Sequence, residues 1–524
     1  ASLADDKHLG LGVPNIWYRA SFRYQDQQHK VRVDGVTLPG TPVMVVGSNH
    51  KVAWGFTNSY GDWNDVILLR LNEQGDQYLT PDGYKPFELE TEVVLVSGAG
   101  AESIEIKKTI WGPVIGRNED GTYLALRWVA HDAQGVNLNI IALEQSQNVE
   151  QAIHVANRSG IPAQNFVTAD NKGNIGWTIA GPMPKKFGAS NSSADGWAIP
   201  QDWSQGKLGW RGYLSPNEYP KVINPNQHRL WTGNSRVVGG KHYEKIGNGG
   251  YALGARSQQI RDGLFANANF DEAAMFALQQ DDKAVFLTRW HGYLLDNVLS
   301  YDFVQAEHLS SLLLHLQNWQ QRASVDSVGY LFVRQFRANF QQAMFRPLEE
   351  SIQAHAMLSD QAFSLYPLRH QLEIPMWQML TARPDHLLPK DQVSWQTFLQ
   401  NLVKQTVTEL ESQYGSLDEA TWGARNTLAI QHPLSKAVPG LSWLLDMPAT
   451  QVSGDKYMPK VQGPAFGASQ RLVVSPGFEH QAILTMPAGQ SSHPLSPFFG
   501  LGHKAWAEGS PTPLLPGKTE YQLS

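Results

Sequence analysis

The sequence predicts an α+β fold in which a sheet-rich core is interrupted by a block of helices. Three observations carry this reading. Residues 1 to about 250 are dense in Gly, Pro, Asn and Asp between short β-branched and aromatic runs, residues 255 to about 415 take up a helical period, and the chain after Trp422 returns to strands and turns. No repeat, low-complexity tract or linker separates these stretches. Residues 1–254 and 416–524 are therefore expected to build one core, with 255–415 as a mainly helical insertion.

The elements follow in order. Leu38-Pro39-Gly40-Thr41-Pro42 is turn chemistry, and Val43-Met44-Val45-Val46, closed by Gly47, predicts a buried strand. Ile104 and Ile106 alternate with glutamate and lysine, as in a half-exposed strand, and residues 122–128 read as another. Gly173-Asn174 predicts a hairpin turn between Thr168-Ala169 and the run Ile175 to Ile179. Asp271-Glu272 makes an acidic start for a helix over Ala273 to Leu278. Leu309, Leu312, Leu313, Leu316 and Trp319 recur at helical spacing and predict one apolar face. Arg471 to Val474 and Ala482 to Leu484 are apolar runs that read as the closing strands.

Composition narrows the function. With 42% hydrophobic and 17% charged residues over 524 positions, the chain can bury more than one core. A net charge of −6 without a basic run argues against a nucleic-acid partner. The sequence has no cysteine, which excludes disulfides, thiolate metal sites and a cysteine nucleophile, and suits a periplasmic or secreted protein, where a free thiol would be oxidised. No stretch approaches the roughly eighteen apolar residues of a membrane span. The chain opens as Ala1-Ser2-Leu3-Ala4-Asp5-Asp6, with neither an initiator methionine nor a signal peptide, so a further segment upstream is expected.

Familiar catalytic motifs are absent: there is no H-E-x-x-H pattern, no G-x-S-x-G elbow and no phosphate loop. Gly247-Asn248-Gly249-Gly250 is glycine-rich but does not join a strand to a helix. The 17 histidines include no helix-face pair beside carboxylates, so no tight transition-metal site is expected. Asp62-Trp63-Asn64-Asp65 places two carboxylates and an amide within a short stretch, which suits calcium or an ordinary solvated turn. Asparagines close Trp54-Gly55-Phe56-Thr57-Asn58 and centre Trp231-Thr232-Gly233-Asn234-Ser235-Arg236. Such an amide, held rigidly in a cleft, can stabilise an oxyanion, but on the residues alone each reads first as a turn residue.

The first residues carry a wider pattern. Ser2-Leu3-Ala4-Asp5-Asp6-Lys7-His8-Leu9-Gly10 resembles the L-L-A-N-D-P-H-L-G stretch of the penicillin acylase (penicillin amidase) family of N-terminal-nucleophile hydrolases, and Pro14-Asn15-Ile16-Trp17-Tyr18 continues it. Similar blocks follow in family order: Leu38 to Pro42, Gly47-Ser48-Asn49-His50, Trp54 to Asn58, Pro162-Ala163-Gln164-Asn165-Phe166-Val167 and Gly173-Asn174-Ile175-Gly176. Thr232-Gly233-Asn234-Ser235-Arg236-Val237-Val238 resembles T-A-N-N-R-V-V, and Gly489-Gln490-Ser491-Ser492-His493-Pro494-Leu495-Ser496-Pro497 looks like G-Q-S-G-H-P-x-S-P. The helical middle matches only loosely.

The resemblance implies the large (β) subunit of such an enzyme, with a four-layer αββα core of two packed, mainly antiparallel sheets. It implies an amide hydrolase whose nucleophile is the first serine of the self-cleaved large subunit, activated by its own α-amine. An α-amino pKa of about 7.7–8.0 makes that amine a usable base near neutral pH. Family spacing puts this serine roughly fifteen residues before Ala1, in a segment resembling S-N-N-W-A-V; Ser2 is not assigned the role, and the chain by itself is expected to be inactive. Asn58 matches the backbone oxyanion donor and Asn234 the side-chain donor. His8 would orient the serine or its amine, or else anchor the N-terminal strand. Arg256 would support Asn234 or bind a substrate carboxylate, or else make a surface ion pair. Leu9, Val46 and Phe56 are expected to line the acyl pocket. Asp62, Asn64 and Asp65 match a calcium-binding segment, so one structural calcium ion and no organic cofactor is the expectation, although Lys245 stands at a further ligand position and cannot ligate. The implied partners are a small (α) subunit from the same precursor and an acyl amide substrate: a β-lactam, an acyl-homoserine lactone or an acylated peptide. A non-catalytic acyl-ligand-binding protein on the same fold is the alternative.

Overall fold

The computed structural model describes residues 1–26, 29–118, 120–188, 197–355, 363–438 and 440–523. Its centre is a seven-stranded sheet in the order Lys221–Ile223, Ile175–Ala180, Gln164–Asp170, Val52–Asn58, Val46–Ser48, His29–Thr37, Tyr18–Asp26. A second sheet contains three strands, Leu3–Gly10, Phe466–Val474 and Ile483–Thr485, so the two ends of the sequence pair directly. Pairing in both sheets is antiparallel. The sheets pack face to face where the N-terminal strand crosses Val52–Asn58, and Asp5 Oδ2 accepts the Phe56 N–H across the gap at 3.0 Å. Gly55 permits this approach, because a Cβ there would lie 2.6 Å from Asp5 Oδ2.

Helices close both outer faces. Val149–Ala156 lies on the large sheet, with Val149 and Ile153 reaching the space over Gly176. Its N-cap Asn148 accepts the Gln151 N–H, as helix starts favour. On the other side Glu272–Gln279 packs Phe276 against Val473 and Ile483. The order helix, sheet, sheet, helix gives the four-layer α+β core. It explains why Phe466–Val474 is buried at nearly every position instead of alternating: one face meets a sheet and the other a helix.

A further sheet, in the order Asn64–Leu68, Tyr123–Trp128, Gly112–Arg117, Gly100–Thr109, Glu88–Val96, stands to one side. From Ala255 to Tyr414 the named elements are helices, and they build a core of their own around Trp290, Phe336, Phe340 and Leu399.

Most element expectations hold. Gly173 sits at φ +96° in the turn joining Gln164–Asp170 to Ile175–Ala180, and Asp271 caps its helix by accepting the Ala274 N–H at 2.8 Å. Three details differ. The strand at Val43 to Val46 begins only at Val46, since Val43 and Met44 fill the core from a turn. The leucine-faced helix is Ser310–Gln317, with Leu309 at its N-cap and Trp319 beyond its end. Ile104 lies on a projecting ribbon whose partner strand exposes Leu89, Val93 and Leu95, so the alternation there does not mark one buried face.

Candidate active site

A cavity of about 1010 Å³ opens between the two sheets at the ends of Leu3–Gly10 and Val52–Asn58, with walls from the turn at 231–234 and from the helical region. His8, Leu9, Phe56, Asn58, Asn234 and Arg256 all line it, although they come from four distant parts of the sequence.

Strand geometry aims Asn58. Backbone N–H groups two residues apart point to the same side of a strand. The short strand Val46–Ser48 covers that side only as far as Trp54, so the Phe56 N–H is free to reach Asp5 and the Asn58 N–H beyond it faces the cavity. This strand end is held firmly. Thr57 Oγ1 donates to Thr232 Oγ1 at 2.9 Å, the Asn165 amide donates to Thr57 Oγ1 at 3.1 Å, and the Trp177 indole donates to Asn165 Oδ1 at 3.0 Å.

Asn234 sits at φ +65°, a left-handed conformation that asparagine tolerates better than most residues. Its Nδ2 donates to the Asn58 carbonyl at 3.0 Å, so one amide hydrogen is used and the second remains. Its Oδ1 accepts from Arg256 Nη2, which fixes which way the amide is flipped. Gly233 lets the turn press onto the following helix, where a Cβ would fall 2.3 Å from Ser257 Oγ.

Arg256, in the first turn of Ala255–Ala266, ties these parts together. Nη2 also donates to the Gly233 carbonyl at 2.8 Å, and Nη1 donates to His8 Nδ1 at 2.9 Å. A guanidinium can only donate, so His8 Nδ1 must accept and Nε2 carries the proton, which it gives to Asp6 Oδ2 at 3.0 Å. The electrostatics agree with this neutral tautomer. Burial, reinforced by Arg256 and Arg471, holds the imidazole below its ordinary value against the pull of Asp6. Burial alone would raise Asp6, but the hydrogen bond from His8 and the attraction of Arg471 and Arg256 outweigh it and keep the carboxylate ionised. Both ring nitrogens of His8 are thus committed to protein partners. Asp6 was not singled out in the sequence; its position two residues before His8 was the available signal.

Leu9 and Phe56 reach the cavity, but Val46 does not. It is 0% exposed within the core around Val36 and Trp54, because its strand lies at the far end of Val52–Asn58 from Asn58.

Asp62 and Asp65 converge, but on an ammonium. Lys186 Nζ lies 2.7 Å from Asp62 Oδ2 and 2.9 Å from Asp65 Oδ2, over the faces of Trp197 and Trp210, while Asn64 is exposed. Among the described residues no group of three or more His, Asp or Glu could hold a metal ion. These side chains therefore fit a lysine counter-ion better than calcium, which takes six to eight oxygen ligands.

Comparison with known proteins identifies the family and the fold. The family description penicillin amidase matches residues 1–522. The chain is similar to the acyl-homoserine lactone acylase QuiP of Pseudomonas aeruginosa, at 25% identity over 97% of this chain and 64% of that protein. It is also similar to the penicillin acylase 2 proenzyme of Pseudomonas sp. (strain SE83), at 25% identity over 98% of the chain and 64% of the relative. The chain thus spans just under two thirds of the length of these relatives. The fold matches a thermostable penicillin G acylase from Alcaligenes faecalis with a TM-score of 0.69, at 17% identity, covering 100% of this chain and 97% of that one. Sequence, architecture and the site between the sheets lead to one conclusion: this chain belongs to the penicillin amidase family.

Proposed function

We propose that the chain is the large subunit of an acylase that cleaves a linear amide between an acyl group and an amine-bearing nucleus. The observation that carries this is the single hydrogen-bonded run from Asp6 through His8, Arg256 and Asn234 to Asn58, laid along one wall of a large cavity. Such a run has little structural purpose on a cavity wall, but it holds two N–H donors side by side where an oxyanion would form.

The nucleophile is a serine some fifteen residues before Ala1. Among the described residues the N-terminal strand pairs with Phe466–Val474 alone. An antiparallel return along its open edge would bring the first residue of such a segment back to the neighbourhood of His8 and Leu9. There the serine α-amine takes the hydroxyl proton, Oγ attacks the amide carbon, and the Asn58 N–H and the second Asn234 hydrogen receive the negative oxygen. The amine then leaves with the proton, and water releases the acyl group from the serine ester by the same route. His8 and Arg256 position Asn234 and do not exchange the proton.

A small subunit cut from the same precursor completes the protein, and the cysteine-free composition suits a periplasmic or secreted site of action. No helix among the described residues is long and apolar enough to cross a membrane. The names of the relatives make N-acyl-homoserine lactones and penicillins the first substrates to try. The test is expression of the complete precursor and assay against both classes and against acyl anilides. Hydrolysis that disappears when the terminal serine becomes alanine supports the reading. Binding of acyl compounds without turnover would instead indicate an acyl-ligand-binding protein.

A further inference from the structure

We infer that Asn165 and Thr57 are positioning residues that fix the spacing between the two oxyanion donors, acting from the sheet core through the Thr232 hydroxyl. The inference deepens the acylase reading and rests on it.

Asn165 lies on Gln164–Asp170, the strand paired with Val52–Asn58, and its register partner there is Thr57. It is 2% exposed, so its amide needs hydrogen-bond partners inside the protein. Those partners impose one direction on the whole run. The Trp177 indole can only donate, so Asn165 Oδ1 faces it and Nδ2 faces Thr57 Oγ1. Thr57 Oγ1 accepts there, and its own single proton goes to Thr232 Oγ1, 2.9 Å away. Trp177 is itself fully buried in a cluster with Ile179, Met183 and Tyr219, which gives the run a rigid root.

The far end of the run meets the turn that carries Asn234. That turn already touches the strand once, where Asn234 Nδ2 donates to the Asn58 carbonyl at 3.0 Å. One hydrogen bond is a pivot, about which the turn can rotate and carry the second amide hydrogen out of line. The bond from Thr57 to Thr232 is a second tie, two residues earlier in the turn, and two ties remove that rotation. Asn165 Nδ2 also donates to the Asn58 carbonyl at 3.4 Å, so one amide steadies Thr57 and Asn58 together. An apolar pair at positions 57 and 165 would join the two strands equally well. What the polar pair adds is a hydroxyl held toward a particular partner, and that partner belongs to the cavity wall. The precision matters because a donor serves an oxyanion at about 2.7–3.1 Å, and a displacement of ~1 Å can cost about 10²-fold in rate.

The experiment uses the complete, processed protein. Thr57→Val keeps the side-chain shape and removes the tie, whereas Thr57→Ser keeps the hydroxyl. Thr57→Val is expected to lower kcat by about ten- to a hundredfold with KM within about threefold of the parent, and Thr57→Ser to retain most of the activity. Because the tie acts through the turn, Thr57→Val placed in an Asn234→Gly background should lower kcat by less than about threefold further. Trp177→Phe, which frees the Asn165 amide to flip, should give part of the Thr57→Val loss. Amide exchange across residues 231–234, followed by mass spectrometry, reads the tie without turnover. It should quicken by about tenfold in Thr57→Val and stay at the parent rate in Thr57→Ser. That exchange result in a parent that hydrolyses no amide supports the tie and counts against the acylase reading alone. Parent-like exchange in Thr57→Val, or a loss of kcat as large in the Asn234→Gly background as in the parent, overturns the inference. A parent-like kcat in Trp177→Phe removes Asn165 from it.

Discussion

Replacing Asn234 tests the site most sharply, because the structure separates its chemical role from its structural one. Asn234→Ala removes the free amide hydrogen and leaves the Asn58 N–H as the remaining donor. Loss of one such donor costs about 10²–10³ in kcat, or ~2.7–4 kcal/mol of transition-state stabilisation, with KM little changed. The same change has a fold cost. Alanine at φ +65° lacks asparagine's tolerance of the left-handed region, a penalty of about 1–2 kcal/mol. Arg256 Nη2 keeps the Gly233 carbonyl at 2.8 Å as an acceptor, which limits further damage. Asn234→Gly removes the donor without the conformational penalty. Both variants should therefore lose turnover equally, while the glycine variant melts closer to the parent. Steady-state kinetics on the complete protein with thermal denaturation of each variant gives the answer. Turnover within threefold of the parent in the glycine variant would refute the oxyanion role.

Three further outcomes follow from the structure. Asp6→Asn should lower kcat with little effect on KM by weakening the hold on His8, and His8→Gln should recover part of the activity if it still bridges Arg256; activity unaffected by Asp6→Asn would remove this positioning role. His50 donates to Asp34 at 2.6 Å and pairs with Glu479 at 2.9 Å, and hydrogen bonds to both carboxylates raise it to about 9. Because the folded value lies above the unfolded ~6.5, this stabilisation, up to about 3 kcal/mol, is complete below pH ~6.5 and disappears as pH rises through about 9. Denaturant titrations should show the parent losing stability over that window relative to His50→Gln, and parallel curves would contradict it. A chelator should leave the melting temperature unchanged, whereas Lys186→Met should destabilise by about 3–5 kcal/mol because Asp62 and Asp65 lose their buried counter-ion. A chelator-induced fall in melting temperature would restore the calcium expectation.

The α+β layering was readable in advance because it depends on local period: glycine-punctuated short runs at both ends and helical spacing from 255 to about 415. The asparagines were readable through turn chemistry and the resemblance around them. What period could not show was long-range pairing. Lys186 lies far along the chain from Asp62 and Asp65, and a carboxylate pair reads alike whether calcium or an ammonium sits between its oxygens. Asp6 looked like one acid among neighbours; the folded strand, with its register shift between Lys7 and His8, sets its Oδ2 3.0 Å from His8 Nε2. Val46 directly precedes the matching block Gly47 to His50, but its strand's offset against Val52–Asn58 leaves it deep in the core. The ribbon from Glu88 to Thr109 alternates like a half-buried strand, yet it projects from the body, so local pattern could not reveal that neither face is covered.

A crystal structure of the complete, processed protein inhibited by an acyl phosphonate would test the central claim directly. The account predicts a phosphorus bond to a serine at the N-terminus of the large subunit. One phosphoryl oxygen should lie about 2.7–3.1 Å from both the Asn58 nitrogen and Asn234 Nδ2. An adduct on another residue, or an oxygen that meets neither asparagine, would contradict it.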